Sequence, residues 1–208
     1  MPRPYTKRTR ATREAATRRR IIDATIALHE SLGGPATTIS AIAARAQVSR
    51  VTVYRHFPDE WALLAACTGT YLQEHRPPDP GAWTIVPDVQ VRLRLALAEL
   101  YPFYRQSQGL LARADQELPT NPILRDVLAG YVEAVGAMRE VLAAGWPTED
   151  AALLRAAVGH AVAFATWHSL AVEQGLSDTQ AASLMERLVR ATADATTATS
   201  EGPWATDH

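Results

Sequence analysis

Cys67 is the only cysteine among 208 residues. No intrachain disulfide can form, and no metal site built on several thiolates exists, which suits a cytoplasmic protein. No apolar run approaches the ~18 residues of a membrane span, and the start of the chain lacks the apolar core of a secretory signal. No segment alternates polar and apolar residues as a half-buried strand does, and no internal repeat is present. Ser/His/Asp, Cys/His and phosphate-loop arrangements are missing, as is the His pair at i, i+4 of a zinc helix. Asp115 and Glu117 are two apart, on different sides of a helix, and make no carboxylate pair. His160 and His168 are about two turns apart, some 12 Å along an axis, too far for one ion without other ligands. The expectation is an all-α protein with no catalytic residues, metal or cofactor.

What is present is helical and lopsided in charge. Hydrophobic residues make up 47% and charged residues 21%, ordinary for a folded domain. The net charge of −1 conceals an asymmetry. Residues 1–60 hold eleven basic and five acidic side chains, a net +6, which leaves −7 for the remainder. A basic N-terminal module on an acidic body fits a nucleic-acid reader with a separate sensing or pairing domain.

The densest signal is Thr37–Cys67. Ile39, Ile42 and Ala43 recur at helical spacing over Ile39–Ala46, with Thr38 or Ser40 as cap. Gln47-Val48-Ser49 breaks the pattern, and Ser49 caps a second helix, Arg50–Phe57. There Val53 and Phe57 point inward, leaving Arg50, Thr52, Arg55 and His56 for solvent or a partner. Two short helices around a three-residue turn have the form of a helix-turn-helix. Before it, Thr17–Leu32 reads as a bracing helix ended by Gly33-Gly34-Pro35, with His29 partly buried or capping. Residues 1–17 read as a basic arm without regular structure, able to contact phosphates or a minor groove.

Past the motif, Pro58 fits the first turn of a fourth helix reaching about Gln73, with Cys67 a small core residue. Arg76–Gly81 reads as a break. Asp88 caps a fifth helix that Pro102 should kink, followed by a short helix over Arg105–Glu117. Asn121 and Pro122 open a helix that runs to Gly145. Thr148 caps a long helix reaching Gln174, and Ser177–Gln180 form a capping box for the last helix, to about Thr197. Residues 198–208 read as a flexible tail. Tyr101, Tyr104, Arg113, Tyr131, Met138, Phe164, Trp167 and His168 could line an apolar pocket with a few polar handles, although aromatics at such spacing are more often core.

Thr38, Ile42-Ala43, Ala46, Val48-Ser49, Thr52, Tyr54, His56-Phe57, Pro58 and Leu63-Leu64, with Arg20–Ala24 and Leu28 upstream, resemble the N-terminal domain of the TetR/AcrR family of one-component repressors. The likeness covers roughly residues 18–67. Three positions depart from the family: Gln47 stands for the turn Gly, His29 for a Phe, and Glu60-Trp61 for a Lys-Glu whose Lys sits near a phosphate. The resemblance implies a three-helix DNA-binding domain over 18–65 and a helical ligand-binding and dimerisation domain over 66–197. It implies a homodimer through the last two helices, a near-palindromic double-stranded operator and release by a small-molecule effector. Thr38, Ser49, Arg50, Thr52, Tyr54, Arg55 and His56 become the DNA-binding set. Alternatives are a ligand-independent regulator or activator and, more remotely, a helical enzyme or carrier.

Overall fold

The computed structural model describes residues 4–198, and the described residues are helical with no strand. They form two compact units, residues up to Arg76 with Ser107–Ala129, and Pro77–Gln106 with the chain from Gly130 onward. The first unit therefore extends beyond the expected boundary at residue 65. Leu63 and Cys67 of the fourth helix belong to the same core as Ile21, Ile22, Ile42, Val53 and Phe57, so that helix cannot be divided from the head.

In the first unit, α1 spans Pro4–Leu32. Residues 4–17 are thus helical, correcting the expectation of an irregular arm. Pro4 occupies the first turn, where a backbone N–H is not needed, and the Arg, Ala and Glu that follow are good helix formers. Residues 1–3 of the arm and 199–208 of the expected tail lie outside the described residues. α2 (Ile39–Ala46) and α3 (Arg50–His56) fall as anticipated. α4 spans Glu60–Glu74 with Asp59 as its cap, Oδ1 accepting from Ala62 N at 2.8 Å. Pro58 thus precedes the cap instead of opening the helix. The Cys67 thiol is pushed up to about 12 by burial, which keeps it protonated and inert. α7 (Gln108–Glu117) packs on α1, and α8 (Pro122–Val127) packs on α4. Trp61 Nε1 donates to Asp126 at 2.6 Å, tying α4 to α8.

In the second unit, the expected break at Arg76–Gly81 contains a short helix, α5 (Pro80–Trp83), capped by Asp79. α6 (Val89–Gln106) is capped by Asp88 and passes through Pro102 without ending. Leu100, Tyr101, Phe103 and Tyr104 are buried on either side of Pro102, so packing outweighs the one lost ladder bond. The helix expected over 122–144 is two, because the chain leaves helical geometry at Leu128 before α9 (Ala129–Ala143).

The long helix expected from Thr148 is also divided. Asp150, not Thr148, caps α10 (Ala151–Ala161). Val162 and Ala163 interrupt the helix before α11 (Phe164–His168), and a π-helical turn follows over Ser169–Glu173. The interruption frees backbone carbonyls, and two buried tyrosines meet them: Tyr101 OH donates to Ala161 O at 2.9 Å and Tyr104 OH to Val162 O at 2.5 Å. α12 (Asp178–Ala198) opens on the anticipated capping box, with Ser177 N and Oγ donating to Gln180 Oε1 and Gln180 N donating back to Ser177 Oγ. α12 packs on α6 and α10.

Arg92 is buried, and its guanidinium donates to carbonyls only: Val86 O at 3.0 Å, Val141 O at 2.8 Å, Ala144 O at 3.1 Å and Pro87 O at 3.4 Å. Val141 and Ala144 lie at the end of α9, whose last carbonyls have no partner in their own helix. A cation there also complements the negative end of the helix dipole.

Candidate nucleic-acid interface

The geometry of α3 begins at the turn before it. Gln47 adopts a left-handed backbone, φ 54° and ψ 48°, which costs a residue with a Cβ ~1–2 kcal/mol. This conformation lets Val48 N reach back to Ala43 O at 3.0 Å and reverses the chain within three residues. Ser49 Oγ then accepts from Thr52 N at 3.1 Å, and Thr38 Oγ1 accepts from Ala41 N at 3.2 Å. Each short helix thus starts on its own side-chain cap.

With its start fixed, α3 turns Val53 fully into the core. Arg50, Val51, Tyr54 and Arg55 occupy one arc of about 140° on the other side, and all four are exposed. Val51 is 76% exposed, an unusual cost for a branched apolar side chain on a well-packed head. It lies outside the anticipated set, which held only polar residues and Tyr54. Arg50 and Arg55 make no ion pair among the described residues.

The other anticipated residues are more constrained. The Thr52 hydroxyl is half-buried and shares a 2.9 Å hydrogen bond with Ser49 Oγ. Thr38 is exposed. His56 is half-buried, with Nε2 enclosed and unpartnered, so only Nδ1 remains for an outside acceptor. Among the arginines of α1, Arg18 lies 4.8 Å above the Phe57 ring, and Arg19 is held by Asp23 at 2.6 Å and Glu74 at 2.5 Å. The hydrogen bond to Glu74, then that to Asp23, raises the Arg19 pKa further.

The anticipated ligand-pocket residues do not form one group. Tyr101, Tyr104, Phe164, Trp167 and His168 make an aromatic cluster in the second unit, with Tyr104 edge-on to Phe164 at 5.6 Å and Phe164 against Trp167 at 5.6 Å. Burial raises the Tyr101 and Tyr104 phenols far above their usual range and Tyr131 to about 12. Trp167 Nε1 donates to Asp178 at 2.9 Å, and Arg105 pairs with Asp178 through two 2.8 Å bonds. The Arg105 bonds, helped by Trp167, hold the Asp178 carboxyl below its usual range. Met138 is buried in the same unit, whereas Arg113 lies on α7 in the first. The polar tips of Tyr101, Tyr104 and Trp167 are all satisfied internally.

No helix among the described residues is long and apolar enough to cross a membrane. Residues 21–67 match the family model of bacterial regulatory proteins of the tetR family. Over 149 residues the chain is 29% identical to the HTH-type transcriptional repressor KstR of Mycolicibacterium smegmatis. That match covers 64% of this chain and 66% of the relative, just under two thirds of its length. A TetR-like transcriptional regulator from Rhodococcus sp. RHA1 has the same fold at a TM-score of 0.60 and 20% identity, over 92% of this chain and 97% of that one. A TetR transcription regulator from Haloarcula marismortui superposes at 0.55 and 19% identity, over 88% and 98%. Residues 21–67 are thus similar to the DNA-binding domain of bacterial regulatory proteins of the tetR family, and the described residues share the fold of TetR-type transcription regulators.

Proposed function

We propose that the chain is a homodimeric repressor that binds a near-palindromic operator through α3 of each protomer and is released by a small, largely apolar effector. The outward arc of α3, with the half-buried Thr52 at its edge, supports this reading. Arg50 and Thr52 face base edges, and Val51 meets a thymine methyl, the one apolar handle in the major groove. Tyr54, Arg55, His56 Nδ1, Thr38 and Ser49 hold the phosphate backbone, which positions the helix without reading sequence. Repression is the activity in the name of the Mycolicibacterium smegmatis relative. The protein acts in the cytoplasm, by binding rather than by catalysis.

Pairing through α10 and α12 is supported by Leu153 and Leu188, large apolar side chains 50–52% exposed on these helices. A second copy would remove them from water, at ~25 cal/mol per Å². The effector's contacts fall to the half-buried Tyr131, Phe164 and His168. One observation favours a second reading, regulation without an effector: Tyr101, Tyr104 and Trp167 are essentially fully buried and their polar atoms are spent on the protein itself.

Selection of bound duplexes from a random pool, followed by salt titration of the winner, tests the proposal. Two inverted half-sites should emerge. Affinity should fall about 10³–10⁵-fold between 50 and 200 mM salt for a protein making six to ten phosphate contacts. Uniform footprints on every duplex would contradict it. A monomer by sedimentation at working concentration would contradict the paired arrangement.

A further inference from the structure

We propose that Glu117 of α7 is a positioning residue for DNA binding: through its hydrogen bond to Gly34 N it fixes the α1–α2 loop that presents Thr38. The inference rests on the DNA-binding reading above, and every residue it uses lies in the unit that carries α3. Glu117 Oε1 accepts from Gly34 N at 2.7 Å, across 83 residues of sequence. Other hydrogen bonds of the loop are local. Gly33 N donates to His29 O at 3.0 Å, Thr37 N to Gly34 O at 2.9 Å and Thr37 Oγ1 to Gly33 O at 2.7 Å.

The two glycines of this loop have different causes. Gly33 has φ 78°, the left-handed region that favours glycine. Gly34 does not have a positive φ. A Cβ on Gly34 would instead collide with Glu117 Oε2 and stand 3.0 Å from its Cδ. The close approach of the carboxylate is therefore what excludes a side chain at residue 34. Two adjacent glycines leave a loop with much backbone freedom, so its shape depends on its ties. A hydrogen bond to an ionised acceptor is roughly twice as strong as a neutral one, and this one is partly buried. The constraint passes along the chain: Gly34 O holds Thr37 N, and the next residue, Thr38, caps α2 through Ala41 N. Thr38 is exposed and belongs to the proposed phosphate set. Loss of the tie removes no contact to DNA. It lowers the fraction of molecules whose loop presents Thr38 correctly, and affinity falls by that fraction.

The test compares Glu117→Ala with Glu117→Gln in the full chain, titrated with the selected operator and a scrambled duplex. Both variants delete one negative charge, which by electrostatics alone tightens binding to a polyanion. Only Glu117→Gln keeps an acceptor for Gly34 N. Glu117→Ala should bind both duplexes about three- to tenfold more weakly than Glu117→Gln, the opposite sign to the charge effect. Adding Glu117→Ala to Gly34→Ala should cost nothing further, since either change breaks the same tie. Adding it to Thr38→Ala should cost little, since the tie acts through that residue. Without DNA, amide exchange at Gly34 and Thr37 should quicken in Glu117→Ala and not in Glu117→Gln. Equal affinities for the two Glu117 variants, full additivity with Thr38→Ala, or unchanged exchange would overturn the proposal. A wild type that binds no duplex would sink the DNA-binding reading and this role with it. A wild type that binds, with Glu117→Ala as tight as Glu117→Gln, would sink this role alone.

Discussion

Two interruptions in the helical chain, one in each unit, are held open by different means. Between α2 and α3 every device is local: Gln47 turns left-handed, Val48 N bonds Ala43 O, and Ser49 caps the next helix. Between α10 and α11 the exposed carbonyls of Ala161 and Val162 are met by Tyr101 and Tyr104, about 60 residues earlier on α6. The end of α9 is treated the same way, by Arg92. A locally capped turn is specified as soon as its few residues are made. A remotely capped break exists only once the unit has folded around it, and its donors lie in a core where a lost partner cannot be replaced by water.

If that contrast is right, substitutions at the remote caps cost more than substitutions at the local ones. Arg92→Met should have the largest effect, about 3–5 kcal/mol, because several buried carbonyls lose their donor together; urea unfolding would measure it. Tyr101→Phe and Tyr104→Phe each remove one hydroxyl and no ring, and each should cost about 1–3 kcal/mol. If the two were neutral, the break between α10 and α11 would not depend on them. At the local turn, Ser49→Ala should cost ~1 kcal/mol, and Gln47→Gly should gain up to about 1 kcal/mol by relieving the left-handed strain.

The smallest effect concerns His29. Its folded pKa lies below the unfolded value of ~6.5 because burial disfavours the imidazolium. Above that unfolded value neither state holds the proton and the residue costs nothing. As pH falls through it the unfolded state takes up the proton first, so stability declines toward the folded pKa. Wild type should therefore lose more stability than His29→Gln between pH 7 and pH 5. Equal losses would place the pH response elsewhere.

The same contrast explains what could be read in the residues. Thr38, Ser49, Asp88, Asn121 and the Ser177–Gln180 box announce their helices because a cap acts on the next three residues. The left-handed backbone at Gln47 was signalled only by the Gly that the resembling family has at this turn. The interruptions at Leu128 and at Val162–Ala163 carry no Gly, Pro or capping residue within the break, so local spacing ran through them. Pro102 lies inside α6, as the spacing implied, and buried neighbours hold the helix together across it. In the interface, the arginines and Tyr54 were legible as polar residues left over from the core. Val51 was not, because only the folded head shows that an apolar residue faces away from it. The enclosure of His56 Nε2 likewise depends on packing that no spacing reveals.

The central claim is that Arg50 of α3 reads a base while Tyr54, beside it on the exposed arc, holds a phosphate. Its most direct test is binding of wild type, Arg50→Ala and Tyr54→Phe to the selected operator and to a scrambled duplex at one salt concentration. Arg50→Ala should lose about 1–3 kcal/mol on the operator and little on the scrambled duplex, which collapses the preference. Tyr54→Phe should weaken both duplexes alike and leave the preference standing. Equal losses on both duplexes for Arg50→Ala would contradict the account.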